Sequence, residues 1–119
     1  MKRTTLLLVA SLLVIGLVST ASLIQSADAR KTKTKILKFE AEWCGPCQQM
    51  KPIYSRVSRE MSGDASFSSI NVDRNQALAE RYRVRSLPTV VAVKNGRVVG
   101  RKTGFMDERR LTAFVKRHR

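Results

Sequence analysis

The sequence predicts a mixed α/β fold, a four-stranded sheet with helices on its faces, in the element order βαβαββα. Three observations carry that expectation. An apolar run from Ile36 to Ala41 is followed by apolar positions at helical spacing, Met50, Ile53, Tyr54, Val57 and Met61, the strand-then-helix pattern of a crossover unit. Thr89 to Val93 is a nearly continuous β-branched run, as expected for a strand covered on both faces. Asn95-Gly96 is a strong hairpin signal, and it leads into Arg97 to Thr103.

Taken in order, each element has its own punctuation. Ile36 to Ala41 is the first strand. The helix after Cys44 contains Pro52, which kinks it without ending it, because the apolar pattern continues to Met61. Ser62-Gly63 stops it. Ser66 to Val72 alternates as a second strand, with Phe67, Ile70 and Val72 as its apolar members. Asp73-Arg74-Asn75 offers an N-cap to a short helix carrying Leu78 and Tyr82. Thr89 to Val93 and Arg97 to Thr103 pair antiparallel, the second lying at the sheet edge. Asp107 opens a last helix with Leu111, Phe114 and Val115 on one face. His118, the sole histidine, is expected on the solvated surface.

Residues 1–29 follow a different logic. Met1-Lys2-Arg3 is a basic start, Leu6 to Val18 an apolar stretch, and Ala27-Asp28-Ala29 a small-x-small cleavage signature, the layout of a secretory signal peptide. Ser19-Thr20-Ala21 is a second cleavage site. The alternative is an uncleaved N-terminal membrane anchor, since residues 6–24 carry no charge. Both readings export the folded part to a periplasmic, lumenal or secreted location, with Lys2-Arg3 left on the cytoplasmic side. Residues 30–35 read as a basic linker and residues 36–119 as the folded domain.

The chain has only two cysteines, Cys44 and Cys47. In an exported protein such a pair is ordinarily a structural disulfide. Here the bridge would close a very short loop, which restricts the unfolded chain less than a long one; that argues for a disulfide meant to be opened. At the start of a helix, Cys44 meets free backbone N–H groups and the positive end of the dipole, both of which stabilise a thiolate. Attack by Cys44 on a substrate disulfide gives a mixed disulfide, which Cys47 resolves. A metal site would need further ligands, and none accompanies the pair.

From Ile36 to about Arg117 the residues resemble the thioredoxin family. The landmarks are Ala41-Glu42-Trp43-Cys44-Gly45-Pro46-Cys47, Pro52, Asn71-Val72-Asp73, Leu87-Pro88-Thr89, Lys94-Asn95-Gly96 and Gly104. The strand and helix that open full-length members are missing, so the body corresponds to the minimal form of the fold. The resemblance implies a thioredoxin-like three-layer sandwich with helices on both faces of the sheet. It makes Cys44 the nucleophile and Cys47 the resolving cysteine, with no cofactor beyond their disulfide. Trp43 would shield the site and Gly45-Pro46 set its turn. Pro88 would be a cis-proline packed on the disulfide, with the Leu87 backbone pairing to an extended substrate and Gly104 keeping the groove floor open. Without the resemblance, the sequence favours a trans bond at Pro88 and allows Trp43 a place in the core.

Three positions depart from the family pattern. Lys38 stands where the family carries a buried aspartate, Ser69 where it carries that aspartate's lysine, and Glu40 where it carries a second tryptophan. Ile36, Lys38 and Glu40 share one strand face. Either both charges reach solvent at a sheet edge, or Glu40 takes over the acid–base role while Lys38 favours the thiolate by its charge.

These readings point to a monomeric thiol:disulfide oxidoreductase acting on protein disulfides, a reductase outside the cytoplasm. The family implies an electron donor, a membrane or extracytoplasmic thiol partner. A disulfide oxidase or isomerase of the same fold is one alternative, a non-catalytic binding module another; the intact cysteine pair argues against the module. Lys and Arg number 23 against 9 Asp and Glu, a net charge of +14. Arg81, Arg83 and Arg85 precede Leu87-Pro88, so acidic substrates or an anionic membrane surface are the partners this charge suits. No pattern of stacking aromatics supports nucleic-acid binding.

Overall fold

In a computed structural model, residues 32–119 are described; residues 1–29, expected as a signal peptide or membrane anchor, and residues 30–31 of the expected linker lie outside the described residues. The elements are β1 (Thr34–Glu40), α1 (Gly45–Glu60), β2 (Ala65–Asn71), α2 (Gln76–Arg81), β3 (Thr89–Lys94), β4 (Arg97–Thr103) and α3 (Glu108–His118). The sheet order is β2-β1-β3-β4. β1 runs parallel to β2 and antiparallel to β3, and β3 runs antiparallel to β4. Among the described residues no helix is long and apolar enough to cross a membrane.

The alternation of each inner strand divides the core into two layers. Ile36, Val90 and Ala92 face Met50, Tyr54 and Val57 of α1 and Leu111, Phe114 and Val115 of α3. Leu37, Phe39, Val91 and Val93 face the other way, toward Leu78 and Tyr82 at α2. The result is a three-layer sandwich, α1 and α3 on one face and α2 on the other. Phe39 and Tyr82 meet at 5.7 Å between ring centroids, a tilted pairing of the favoured kind.

Local chemistry accounts for most element ends. Asp107 caps α3, its Oδ1 accepting from the Arg110 amide at 2.8 Å. Asn95 and Gly96 turn the β3–β4 hairpin with φ of 52° and 75°, the two positive values that a tight twisted hairpin requires. Asn75 occupies the N-cap of α2 without a side-chain cap bond; its Nδ2 donates instead to the Asn71 carbonyl at 3.0 Å.

Several expectations shift. The basic linker is shorter than residues 30–35, because β1 begins at Thr34, whose hydroxyl donates to the His118 carbonyl at 2.6 Å. β1 ends at Glu40 and β2 spans Ala65–Asn71, each a residue short of the expected end. His118 is not a solvated surface residue. Its Nδ1 lies 2.8 Å from the Phe114 carbonyl, its ring packs on Phe114, and the ring also presses on β4 where Gly100 leaves room.

Candidate functional site

β1 delivers the chain to the site. After Glu40, Ala41 is buried and Glu42-Trp43 turn outward, the turn closed by the Cys44 amide donating to the Ala41 carbonyl at 3.2 Å. Gln48, one turn into α1, reaches back: its Nε2 donates to the carbonyls of Ala41 and Glu42, both at 3.2 Å. That tie between helix and turn has no signature in the sequence, because a glutamine on a helix reads as surface.

Cys44 is the N-cap residue of α1 and forms a disulfide with Cys47, the Cα atoms 5.2 Å apart. The two sulfurs are not equivalent. Cys47 is wholly buried, whereas Cys44 retains 6% exposure. The Cys47 amide donates to Cys44 Sγ at 3.2 Å, so one of the unpaired amides at the start of α1 already points at the outer sulfur. A negative charge there meets that donor and the positive end of the helix dipole.

Around Cys44 runs a groove of about 580 Å³, lined by Trp43, Gly45, Pro46, Val72, Val84 and Leu87 among others. Trp43 is 71% exposed, which removes it from the core. Its indole Nε1 donates to Asp73 Oδ2 at 2.9 Å. Asp73 is itself held by Asn71, whose Oδ1 accepts from the amides of Asp73 and Arg74 at 2.9 and 3.3 Å. Asp73 is thus a site residue that the sequence marks only as a family landmark and a helix cap, since its partner is 30 residues away.

The opposite wall comes from the segment before β3. The Leu87-Pro88 peptide is cis, Pro88 is fully buried, and the Pro88 carbonyl accepts from the Gly104 amide at 2.8 Å. The Thr89 hydroxyl donates to the Ser86 carbonyl at 2.7 Å and steadies the bend. Gly104 has φ of +93°, and a Cβ there would meet nothing within 4 Å. Its glycine answers to backbone conformation rather than to crowding. Leu87 packs against the cluster of Ala41, Cys44 and Cys47.

Beneath the disulfide the structure corrects the view of Lys38 and Glu40 as solvated edge charges. β1 is an inner strand, flanked by β2 and β3, and Lys38 is 1% exposed. Its Nζ lies 2.7 Å from Glu40 Oε2 and 4.8 Å from the centre of the Tyr54 ring. The contact to Glu40 is one of charges rather than an aligned hydrogen bond, for Oε2 has no hydrogen-bond partner. The cation on an aromatic face offsets part of its desolvation. Ser69 sits beside Lys38 in the β1–β2 register, on the exposed edge strand.

Tyr54 locks this layer, its hydroxyl lying 2.7 Å from the Ile36 carbonyl and 2.9 Å from that of Ser68 while accepting from the Ser68 amide. Burial pushes the phenol well above its ordinary range; the Ser68 backbone bond opposes this and the Glu40 carboxylate adds to it. α1 runs back along β1 from this point. Cys47, seven residues before Tyr54, is about 10 Å nearer the helix start, and Glu40, four residues after Ile36, about 13 Å further along the strand. The carboxylate therefore lies on the cysteine side of the lysine. Among the described residues no group of three or more His, Cys, Asp and Glu could hold a metal ion.

This arrangement has close counterparts. A family model described as Thioredoxin matches residues 18–117. A thioredoxin of Haemophilus influenzae is 37% identical over 83 residues, covering 70% of this chain and 78% of that protein. A thioredoxin of Pseudomonas aeruginosa is 35% identical over 80 residues, covering 67% and 74%. The solved structure of Fasciola hepatica thioredoxin superimposes with a TM-score of 0.69 at 31% identity, covering 82% of this chain and 91% of that one.

Proposed function

Because this chain belongs to the thioredoxin family and is a disulfide oxidoreductase with a redox-active cysteine pair, we propose that it works as a protein-disulfide reductase outside the cytoplasm. The observation that carries the direction is the modest set of groups around the outer sulfur. Cys44 Sγ receives one amide, from Cys47. Gly45 and Pro46 add no charge and no side-chain donor, and Pro46 lacks an N–H altogether. Oxidants of this chemistry owe their high potential to a strongly stabilised reduced form. A site with so few stabilising groups favours giving electrons away. The family needs no cofactor beyond its own disulfide.

In the dithiol form the Cys44 thiolate attacks one sulfur of a substrate disulfide, and the other substrate sulfur leaves as a thiolate that takes up a proton. Cys47 then attacks Cys44 Sγ, the mixed disulfide breaks, and the second substrate thiolate departs. Two electrons pass to the substrate and the Cys44–Cys47 bond re-forms. Trp43, Gly45, Pro46 and Leu87 form the surface on which an extended substrate lies, with Pro88 buried behind it and tied through its carbonyl to the Gly104 amide. The inner thiol is sealed from water, so its proton must leave through the protein. Glu40 receives it, and Lys38 holds the resulting charge balance beneath the helix start.

The leader supports the location: Lys2-Arg3, the apolar run to Val18 and Ala27-Asp28-Ala29 form an export signal. An exported reductase requires a thiol donor at or beyond the membrane. The cysteine pair and groove are complete within one chain, which suits a monomer.

Equilibration with glutathione buffers tests the direction. A potential near that usual for thioredoxins, about −270 mV, is expected; one near the oxidant end, about −120 mV, would sink the reductase reading. Insulin reduction should vanish in Cys44→Ser. The N-terminus of the protein recovered from the exported fraction should be Arg30.

A further inference from the structure

A second groove lies on the β4 side of Pro88, away from Trp43. It has a volume of about 520 Å³ and runs between β4 and α3, with Phe105 at one end and Lys102, Arg110 and Arg117 along it. Phe105 is 42% exposed, unusual for a phenylalanine without a partner. Lys102, Arg110 and Arg117 form no side-chain hydrogen bond or ion pair within the described residues. Nearby carboxylates are already engaged. Asp107 caps α3 through Arg110's backbone amide, and Glu108 turns to Arg56 of α1.

The backbone ties this groove to the redox site. Thr89 and Thr103 are register partners, and the Gly104 amide bonds to the Pro88 carbonyl, so Phe105 stands one residue beyond the groove floor. Arg110 and Arg117 are seven residues apart on α3, about 10 Å, a span covered by roughly three residues of extended chain. We propose that this cleft holds an acidic flank of the disulfide-bearing substrate, two or more Asp or Glu residues within about eight residues of the attacked cysteine, with an apolar side chain against Phe105. The proposal rests on the reductase reading and names its substrate class. Three unpaired cations in a concave strip select a polyanionic strand through charge complementarity. A lamellar surface does not enter a cleft.

The test uses peptides that share one disulfide ring and differ only in a four-residue tail, Glu, Gln or Lys, attached on either side. With one of the two attachments, the Glu tail should raise kcat/KM by about tenfold over the Gln tail at low salt, three exposed pairs each contributing modestly. The gain should collapse near 0.5 M salt and in the triple variant Lys102→Gln/Arg110→Gln/Arg117→Gln, whose Gln-tail rate stays unchanged. Arg109→Gln/Lys116→Gln, on the other exposed face of α3, should keep the gain. Equal rates for all tails, or equal loss in both variants, would overturn the cleft while leaving the reductase intact. Binding of the alkylated Glu-tail peptide by titration calorimetry reads the cleft separately. If no peptide is reduced, retained binding that the triple variant abolishes supports the cleft and sinks the reductase reading; absent binding overturns the cleft. Sedimentation with phosphatidylglycerol vesicles that depends on the three cations, without tail preference, would reassign the face to a membrane.

Discussion

Trp43 stands in solvent beside the attacking sulfur, and a single carboxylate keeps it there. The bond from its indole to Asp73 joins the α1 turn to the loop after β2, so the rim of the groove is preassembled. Asp73→Ala should raise KM for protein substrates a few-fold and leave reduction of a small aromatic disulfide unchanged, as steady-state kinetics with both would show. Lys38 and Glu40 form the other decisive pair. Removing one partner of a buried ion pair typically costs about 3–5 kcal/mol, whereas neutral replacement of both is far milder. Lys38→Met should thus be strongly destabilising and Lys38→Met/Glu40→Gln much less so by denaturant titration. Both Lys38→Met and Glu40→Gln should also displace the pH profile of dithiol oxidation; profiles superimposable on wild type would remove the acid–base role. Tyr54 above them favours its protonated form when buried. Its contribution is complete below about pH 10, the ordinary phenol value, and is lost as the pH rises beyond it. Tyr54→Phe should therefore be less stable at neutral pH, through the lost hydrogen bonds, yet lose less stability than wild type between neutral and alkaline pH in denaturant titrations.

Elements differ in how openly the sequence announces them. The hairpin at Asn95-Gly96, the helix after the cysteines and the β-branched inner strand are visible because turn chemistry and periodicity are local. What escaped is non-local. Thr34 belongs to β1 because its hydroxyl finds a carbonyl 84 residues later, and Lys38 is buried because β2 and β3 close on β1 from both sides. A strand's own residues do not say whether it lies at an edge. Contact of α3 with β4 makes the same point at Gly100, where an added Cβ would fall 2.3 Å from His118 Nε2. Gly100→Ala should cost about 1–3 kcal/mol, because the ring must leave Phe114, and His118→Ala should recover much of that loss in a double-mutant cycle.

At the scale of the molecule, positive charge is spread over α1, α2, β4 and α3, while the cluster packed around the disulfide is apolar. That division lets one surface choose partners and another do chemistry. The cysteine spacing was legible because chemistry constrains residue type there, and the groove glycine through the family resemblance, with a positive φ as its physical reason. The cations along α3 were legible only as charge, since pairing decides whether a charge is available, and pairing is a property of the assembled surface.

The sheet order carries one more consequence. Both halves of the redox centre hang from the ends of the two inner strands, the Ala41 turn from β1 and Pro88 from β3. Edge strand β4 is exposed along its length and α2 buries no residue fully. Transient fraying will begin at such margins, where few contacts must break. The reactive sulfurs are moored to the last parts to let go, so the protein can breathe at its borders between encounters and still meet each substrate with its geometry intact.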